Sequence, residues 1–151
     1  MGARLEGVSG TKKYIRQQTD RMLKAFLAEI DRLAMKVVTA IRDSEVSFWN
    51  DHTGNLRSSV GYIIMYNGVV VSENFKVCNG RGQEGMAKGR SYAEELARRY
   101  PKGIVLIIVA GMEYAAYVEN IESRTVLAGG KILAKDLLRD LNASWDRRYG
   151  K

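Results

Sequence analysis

Residues 60–77 read VGYIIMYNGVVVSENFKV, and this stretch decides the fold class. Two apolar runs of β-type residues, Val60–Tyr66 and Val69–Val77, are separated by the dipeptide Asn67-Gly68. Because Asn and Gly both tolerate the positive φ of a type I′ turn, this dipeptide between apolar runs is a strong hairpin signal. The sequence therefore predicts an antiparallel β-hairpin in the middle of the chain.

Helical periodicity lies on both sides of the hairpin. From Thr11 to about Asp43, apolar residues recur at steps of three and four, while basic residues occupy much of the remaining surface. We expect Thr11 to be the N-cap of this long helix and residues 1–10 to form a flexible tail. The same spacing returns over Gly130–Tyr149, which predicts a C-terminal helix.

The remaining segments are shorter. Residues 44–59 are polar and are typical of a turn, and residues 78–90 contain four glycines and are expected to be irregular. A short amphipathic helix is predicted over Ser91–Tyr100, and Gly103–Gly111 is an almost unbroken β-branched and Leu run, typical of a buried strand. The period of Tyr114–Glu119 is ambiguous.

Together these elements predict an α+β fold. A long N-terminal amphipathic helix packs on a small, mostly antiparallel β-sheet, accompanied by a short middle helix and a C-terminal helix. The chain has 151 residues, 46% of them hydrophobic and 27% charged, which are values of a globular protein. We therefore expect one domain over residues 11–151.

Composition excludes several kinds of site. The single cysteine, Cys78, rules out an intrachain disulfide and a thiolate metal cluster, and the single histidine, His52, rules out a site with two imidazoles. The longest apolar run, Ile104–Met112, has nine residues, about half of what a membrane-spanning helix needs. We expect neither a metal site nor a membrane segment nor a secretory signal.

The formal net charge is +7, from 24 basic and 17 acidic residues. Residues 1–42 carry +5, and residues 81–102 and 128–151 carry +3 each, while residues 43–80 and 103–127 carry −2 each. The excess is thus divided among three helical segments, whereas a nucleic-acid footprint is usually clustered on one face. Solvated helix faces are the favoured interpretation, and a small basic nucleic-acid-binding protein is the alternative.

One glycine-rich stretch matches a cofactor motif. Residues 80–85, GRGQEG, fit the dinucleotide fingerprint, in which glycines let a pyrophosphate approach a helix N-terminus. The preceding strand belongs to a hairpin rather than to a βαβ unit, so cofactor binding is disfavoured. We instead expect a mobile loop that becomes ordered against a partner, with Gly80, Gly82, Gly85 and Gly89 as its residues.

No set of side chains indicates catalysis. His52 lies beside Asp51, Thr53 and Ser58 in a single predicted turn, without the rigid support and converging partners that a catalytic triad needs. Glu94 and Glu95 precede Arg98 and Arg99 by four residues, the spacing of ordinary ion pairs on a helix surface. We therefore expect no enzymatic activity, no cofactor and no small-molecule substrate.

Two motifs in order point to a family. Residues 53–60 read TGNLRSSV, and residues 109–119 read VAGMEYAAYVE. With the long helix before them, they resemble the neck or tail-completion proteins of long-tailed bacteriophages, in which a Thr-Gly-x-Leu-Arg-x-Ser turn precedes a Tyr-Ala-x-Tyr-Val-Glu segment. The resemblance covers roughly residues 11–127. This chain departs from the family at residues 50–52 and 120–121.

The resemblance implies a structural virion protein of a phage or prophage, present in the host cytoplasm during assembly. Identical subunits would form a six-fold ring that completes the tail or joins it to the head. Its partners would be head-closure and tail-tube or tail-terminator proteins, with non-specific contact to DNA in the lumen. The residues that match the motifs and that we expect at the interface or in the fold are Thr53, Gly54, Asn55, Leu56, Arg57, Ser59, Tyr114, Tyr117 and Glu119.

One long-range pairing is predicted within this set. The planar guanidinium of Arg57 can bind a carboxylate, and Glu119 is its candidate partner. Tyr114 and Tyr117 offer large rigid surfaces with a polar tip, suited to a core or to a subunit interface. Whether these residues serve only the fold or also an interface stays open at this point.

Overall fold

A computed structural model describes residues 2–43, 54–78, 80–110 and 128–150 of the chain. It has an α+β fold, as predicted from the sequence. The elements are, in chain order, α1 (Gly2–Arg42), α2 (Asn55–Ser59), β1 (Val60–Tyr66), β2 (Val69–Asn74), α3 (Gln83–Ala97), β3 (Ile104–Ala110) and α4 (Ala128–Tyr149).

The three strands form one antiparallel sheet in the order β2-β1-β3. The predicted hairpin is confirmed: Tyr66 pairs with Val69, and the two turn residues have positive φ, 49° at Asn67 and 82° at Gly68. A register shift between Ile64 and Met65 leaves Val71 as the extra residue of a β-bulge in β2. β2 ends at Asn74, three residues before the predicted end at Val77.

The central strand β1 is buried on both faces, which explains its continuous apolar sequence. On one face, Ile63 and Met65 form a core cluster with Val109 of β3 and with the two small residues Ala93 and Ala97 of α3. Tyr62 alternates to the other face, where its hydroxyl reaches a side chain of α1. The buried apolar residues in the last third of α1 are Ile30, Leu33, Ala34, Val37, Val38 and Ile41.

The start of α1 corrects a prediction. Residues 2–10, expected to be a flexible tail before an N-cap at Thr11, are helical, and α1 begins at Gly2. No proline interrupts the first 43 residues, so the glycines in this stretch reduce helix propensity without ending the helix. Contacts divide the chain into two compact units, Met1–Ile30 and Asp31–Lys151.

The middle helix is longer than predicted. α3 begins at Gln83 instead of Ser91, so Gly85 and Gly89 lie within a helix rather than in an irregular loop. Both glycines are buried, and tertiary packing against them outweighs their low helix propensity. The predicted strand at Gly103–Gly111 and the predicted helix at Gly130–Tyr149 correspond closely to β3 and α4.

Candidate functional site

The described part of the first family motif, residues 54–59, packs directly against the glycine-rich stretch at the start of α3. Gly54 has a φ of 72°, and a Cβ atom placed on it would lie 2.9 Å from the carbonyl oxygen of Arg81 and 3.0 Å from that of Cys78. Only glycine combines this left-handed conformation with so close an approach. After Gly54 the chain forms the single helical turn α2, on which Leu56 is buried.

Three glycines of the glycine-rich segment, residues 80–89, pack directly against α2. A Cβ atom on Gly82 would collide with the backbone of Gly54, one on Gly85 with the backbone of Asn55, and one on Gly89 with the backbone of Ser59. The spacing of three and four residues places these glycines on one face of α3. The absence of side chains there lets the two backbones come into contact.

Hydrogen bonds from α2 side chains complete this junction. The Asn55 side-chain oxygen accepts the N–H of Gly85 at 3.1 Å and so satisfies a free donor in the first turn of α3, where Gly82 provides no side-chain cap. The Ser58 hydroxyl accepts the N–H of Cys78 at 2.8 Å and donates to the carbonyl of Arg81 at 3.2 Å. We call residues 54–59 with residues 78–89 the glycine junction.

The glycine junction corrects the prediction of a docking loop. Gly85 and Gly89 belong to α3 and are covered by this chain's own backbone, while Gly80 and Gly82 precede the helix with φ of 66° and 102°. The surface over Gly82 and Gly85, where a fingerprint motif would receive a pyrophosphate, is filled by Gly54 and Asn55. Gly82, Gly85 and Gly89 serve internal packing, whereas Gly80 is exposed and nothing lies within 4 Å of a Cβ atom placed on it.

Ser58 is not among the residues expected at the site. It is fully buried, and its hydroxyl joins α2 to the segment before α3. Ser59, which is among them, is also fully buried, but its hydroxyl donates to the carbonyl of Leu56 at 2.7 Å within α2. No local pattern distinguishes the two serines, because the difference depends on which one faces residues 78–81.

A buried arginine ties the end of α1 to the sheet. Arg42 is 3% exposed, and its guanidinium donates from Nε to the carbonyl of Val60 at 3.0 Å and from Nη1 to the side-chain oxygen of Asn74 at 3.0 Å. Burial lowers the pKa of this guanidinium, and the fields of Cys78, Asp43 and Tyr62 oppose the shift. No sequence pattern predicts this role, since Arg42 has the position of an ordinary cation in the last turn of a helix.

A second buried polar cluster lies under the hairpin. The Tyr62 hydroxyl donates to Oδ1 of Asp31 at 2.8 Å, and the Ser72 hydroxyl donates to the same oxygen. Desolvation, followed by the bond to Asp31, raises the pKa of Tyr62 to about 12. The cluster joins α1, β1 and β2 through one carboxylate and has the geometry of a structural tie.

Part of the predicted site lies outside the described residues. This applies to Thr53, Tyr114, Tyr117 and Glu119, so the pairing of Arg57 with Glu119 stays a prediction. Arg57 itself lies in α2 and is half-buried. Among the residues that the structure describes, no group of three His, Cys, Asp or Glu could hold a metal ion.

Several of the exposed apolar side chains lie on α1 and on β2. On α1, Tyr14 is 62% exposed, Ile15 57% and Met22 39%. On β2, which forms one edge of the sheet, the consecutive residues 69–71 are all exposed valines. Apolar groups exposed in a row on an edge strand favour pairing with another chain.

The ion pairs on α3 differ from the predicted ones. Glu94 pairs with Arg90, at 3.4 Å, and not with Arg98 as its spacing had predicted. Arg90 also pairs with Glu73 of β2. Arg98 and Arg99 lie just beyond the last residue of α3, Ala97.

In the described ranges, no helix combines the length and the apolar character needed to cross a bilayer. Comparison of the chain with protein-family models, with curated proteins and with solved structures found no match.

Proposed function

We propose that this chain is a structural assembly protein whose subunits associate with copies of themselves through the exposed apolar side chains of α1. The observation that carries the proposal is the exposure of Ile15 and Met22, two residues on the apolar stripe of an amphipathic helix. Exposed apolar side chains on the stripe of an amphipathic helix favour association with a second molecule.

The β2 edge supports the same proposal. It presents three consecutive exposed valines, and it contains neither Lys nor Pro among its six residues. Those two residue types are common devices against edge-to-edge association. An edge without them suits a subunit that joins its neighbours through a heterologous contact, as closed rings require.

The kind of assembly follows from the motif resemblance. A TGNLRSS turn after a long helix, followed by a YAAYVE segment, resembles the neck or tail-completion proteins of long-tailed phages. We therefore place the ring at the junction between phage head and tail, with head-closure and tail-tube proteins as its neighbours. In this role the glycine junction builds the subunit, and the exposed residues of α1 and β2 join the subunits.

A double substitution on α1 tests the proposal. Ile15→Glu with Met22→Glu puts two carboxylates into the apolar contact, and we expect the assembled species to give way to monomers in sedimentation velocity experiments. The matched control is Gln17→Glu with Ala25→Glu, which adds the same charge to exposed positions of α1 away from the stripe. Equal behaviour of the two variants would contradict the proposed contact.

The rival proposal is a small basic nucleic-acid-binding protein, which is favoured by the net charge of +7. The two proposals differ in what they require of the isolated chain. The rival requires salt-sensitive binding to nucleic acid by a monomer, whereas the assembly protein requires association in the absence of nucleic acid.

A further inference from the structure

The segment between α3 and β3 is both basic and aromatic. Residues 98–102 read RRYPK, and all five are exposed, Tyr100 at 55%. Three cations, Arg98, Arg99 and Lys102, thus occupy five consecutive positions. We call residues 98–102 the basic loop.

Hydrogen bonds hold the basic loop in place from both sides. At its start, the N–H groups of Arg99 and Tyr100 donate to the carbonyls of Leu96 and Ala97 at 3.1 and 3.0 Å. After its end, Gly103 exchanges two bonds with Asn67 of the hairpin turn, at 3.0 and 2.9 Å. The cations therefore stand on an ordered backbone, which lowers the entropy that a ligand must overcome.

The charges of the basic loop are not neutralised within the described part of the chain. Two exposed cations of α3 do have carboxylate partners: Lys88 pairs with Glu84, and Arg90 with Glu94. Arg98, Arg99 and Lys102 have none among the described residues, because Glu94 turns back toward Arg90. The dipole of α3 favours cations in its last turn, but this effect does not extend to Lys102, five residues beyond Ala97.

We propose that the basic loop is a contact surface for the phosphate backbone of double-stranded DNA. The two guanidinium groups and the ammonium supply forked and single donors to phosphate oxygens, and the Tyr100 hydroxyl supplies another. A cluster of cations within five residues matches the dense, regular charge of a duplex better than the scattered carboxylates of a protein surface. The proposal goes beyond the assembly role and does not depend on it.

The contact is independent of base sequence. Arg, Lys and Tyr donors aimed at phosphates position a duplex without reading its bases. Each cation that contacts a phosphate releases counterions, so affinity falls with salt in proportion to the number of contacts. A count of the contacts can therefore be obtained from the salt dependence.

The test compares two triple variants that remove the same charge. The first variant removes the three cations of the basic loop and consists of Arg98→Gln, Arg99→Gln and Lys102→Gln. The second removes three exposed cations of α4 and consists of Arg139→Gln, Arg147→Gln and Arg148→Gln. Binding of a fluorescent duplex of random sequence is followed by anisotropy over a range of salt concentrations. Circular dichroism and the thermal midpoint confirm that each variant is folded, as expected for exposed positions.

We expect the basic-loop variant to lose at least about tenfold in affinity, and its log–log salt slope to fall in magnitude by up to about 2.7, or about 0.9 for each of three contacts. The α4 variant should keep the slope of the original chain. Equal losses in both variants would mean that binding follows net charge alone and would overturn the proposal, as would an unchanged basic-loop variant. Tighter binding of poly-glutamate than of DNA, abolished by the same three substitutions, would replace the duplex with an acidic protein as the ligand. Sedimentation of the same samples reports self-association separately.

Discussion

Two buried polar side chains, those of Arg42 and Tyr62, connect α1 to the sheet, and their local sequence does not predict this role. Arg42 donates to Val60 and Asn74, and Tyr62 donates to Asp31. Each ties α1 to the sheet through a side chain rather than through apolar packing alone. Removing one partner from such a buried contact leaves the others unsatisfied, which is costly inside a protein.

Tyr62 makes the stability of the fold depend on pH in the alkaline range. Its pKa is about 12 in the folded chain against a usual 10.0, so folding favours the protonated phenol. Below about pH 10 the full stabilisation is present, and between about pH 10 and about pH 12 it is lost, because the unfolded chain releases the proton first. At about 1.4 kcal/mol per pKa unit, the loss is on the order of 3 kcal/mol.

Urea unfolding of the original chain and of Tyr62→Phe across this range measures the effect. The difference in unfolding free energy between them should shrink as pH rises from about 10 to about 12, since Phe has no proton to lose. Tyr100→Phe, at an exposed position, is the matched control and should follow the original chain. A constant difference between the original chain and Tyr62→Phe would rule out this linkage.

At the scale of elements, the glycine junction determines how α2, α3 and the sheet fit together. Gly82, Gly85 and Gly89 present bare backbone to Gly54, Asn55 and Ser59, and side-chain bonds from Asn55 and Ser58 fix the register. The close approach brings the start of β1 and the start of α3 to one place. Any side chain at these positions must displace backbone rather than a flexible group.

Alanine substitutions at two helical glycines separate packing from helix propensity. Gly85→Ala should destabilise the fold by at least about 2 kcal/mol, because its Cβ would collide with the backbone of Asn55. Gly10→Ala in α1, where nothing lies within 4 Å, should instead favour its helix by about 1 kcal/mol. Urea titration and helicity by circular dichroism measure both effects. If Gly85→Ala also stabilised the chain, helix propensity would govern both sites and the junction would be wrong.

The elements themselves were largely predictable, whereas their contacts were not. The Asn67-Gly68 turn and the apolar run of β3 are local signals, and the hairpin and β3 lie close to their predicted positions. The start of α3 was missed because Gly85 and Gly89 read as loop residues, and their packing against α2 depends on a segment thirty residues earlier. The hydrogen bond of Ser58 to Cys78 and the burial of Arg42 also depend on contacts between segments that are distant in sequence. Spacing along the chain does not predict such contacts.

At the scale of the whole molecule, the subunit has a well-packed sheet and three sets of exposed side chains that we assign to partners. The apolar side chains of α1 and β2 are assigned to copies of this chain, and the basic loop is assigned to DNA. These are separate sets of residues, so substitutions in one should leave the other function intact. We propose above all that the subunits associate into a closed ring.

Native mass spectrometry of the unmodified chain tests that claim most directly. A heterologous contact that closes should give one discrete mass, six times the subunit's 16.9 kDa, because closure leaves no free surface for further growth. We expect this species to accumulate as the protein concentration rises and to be present without nucleic acid. A single species of 16.9 kDa at every concentration up to the solubility limit would contradict it.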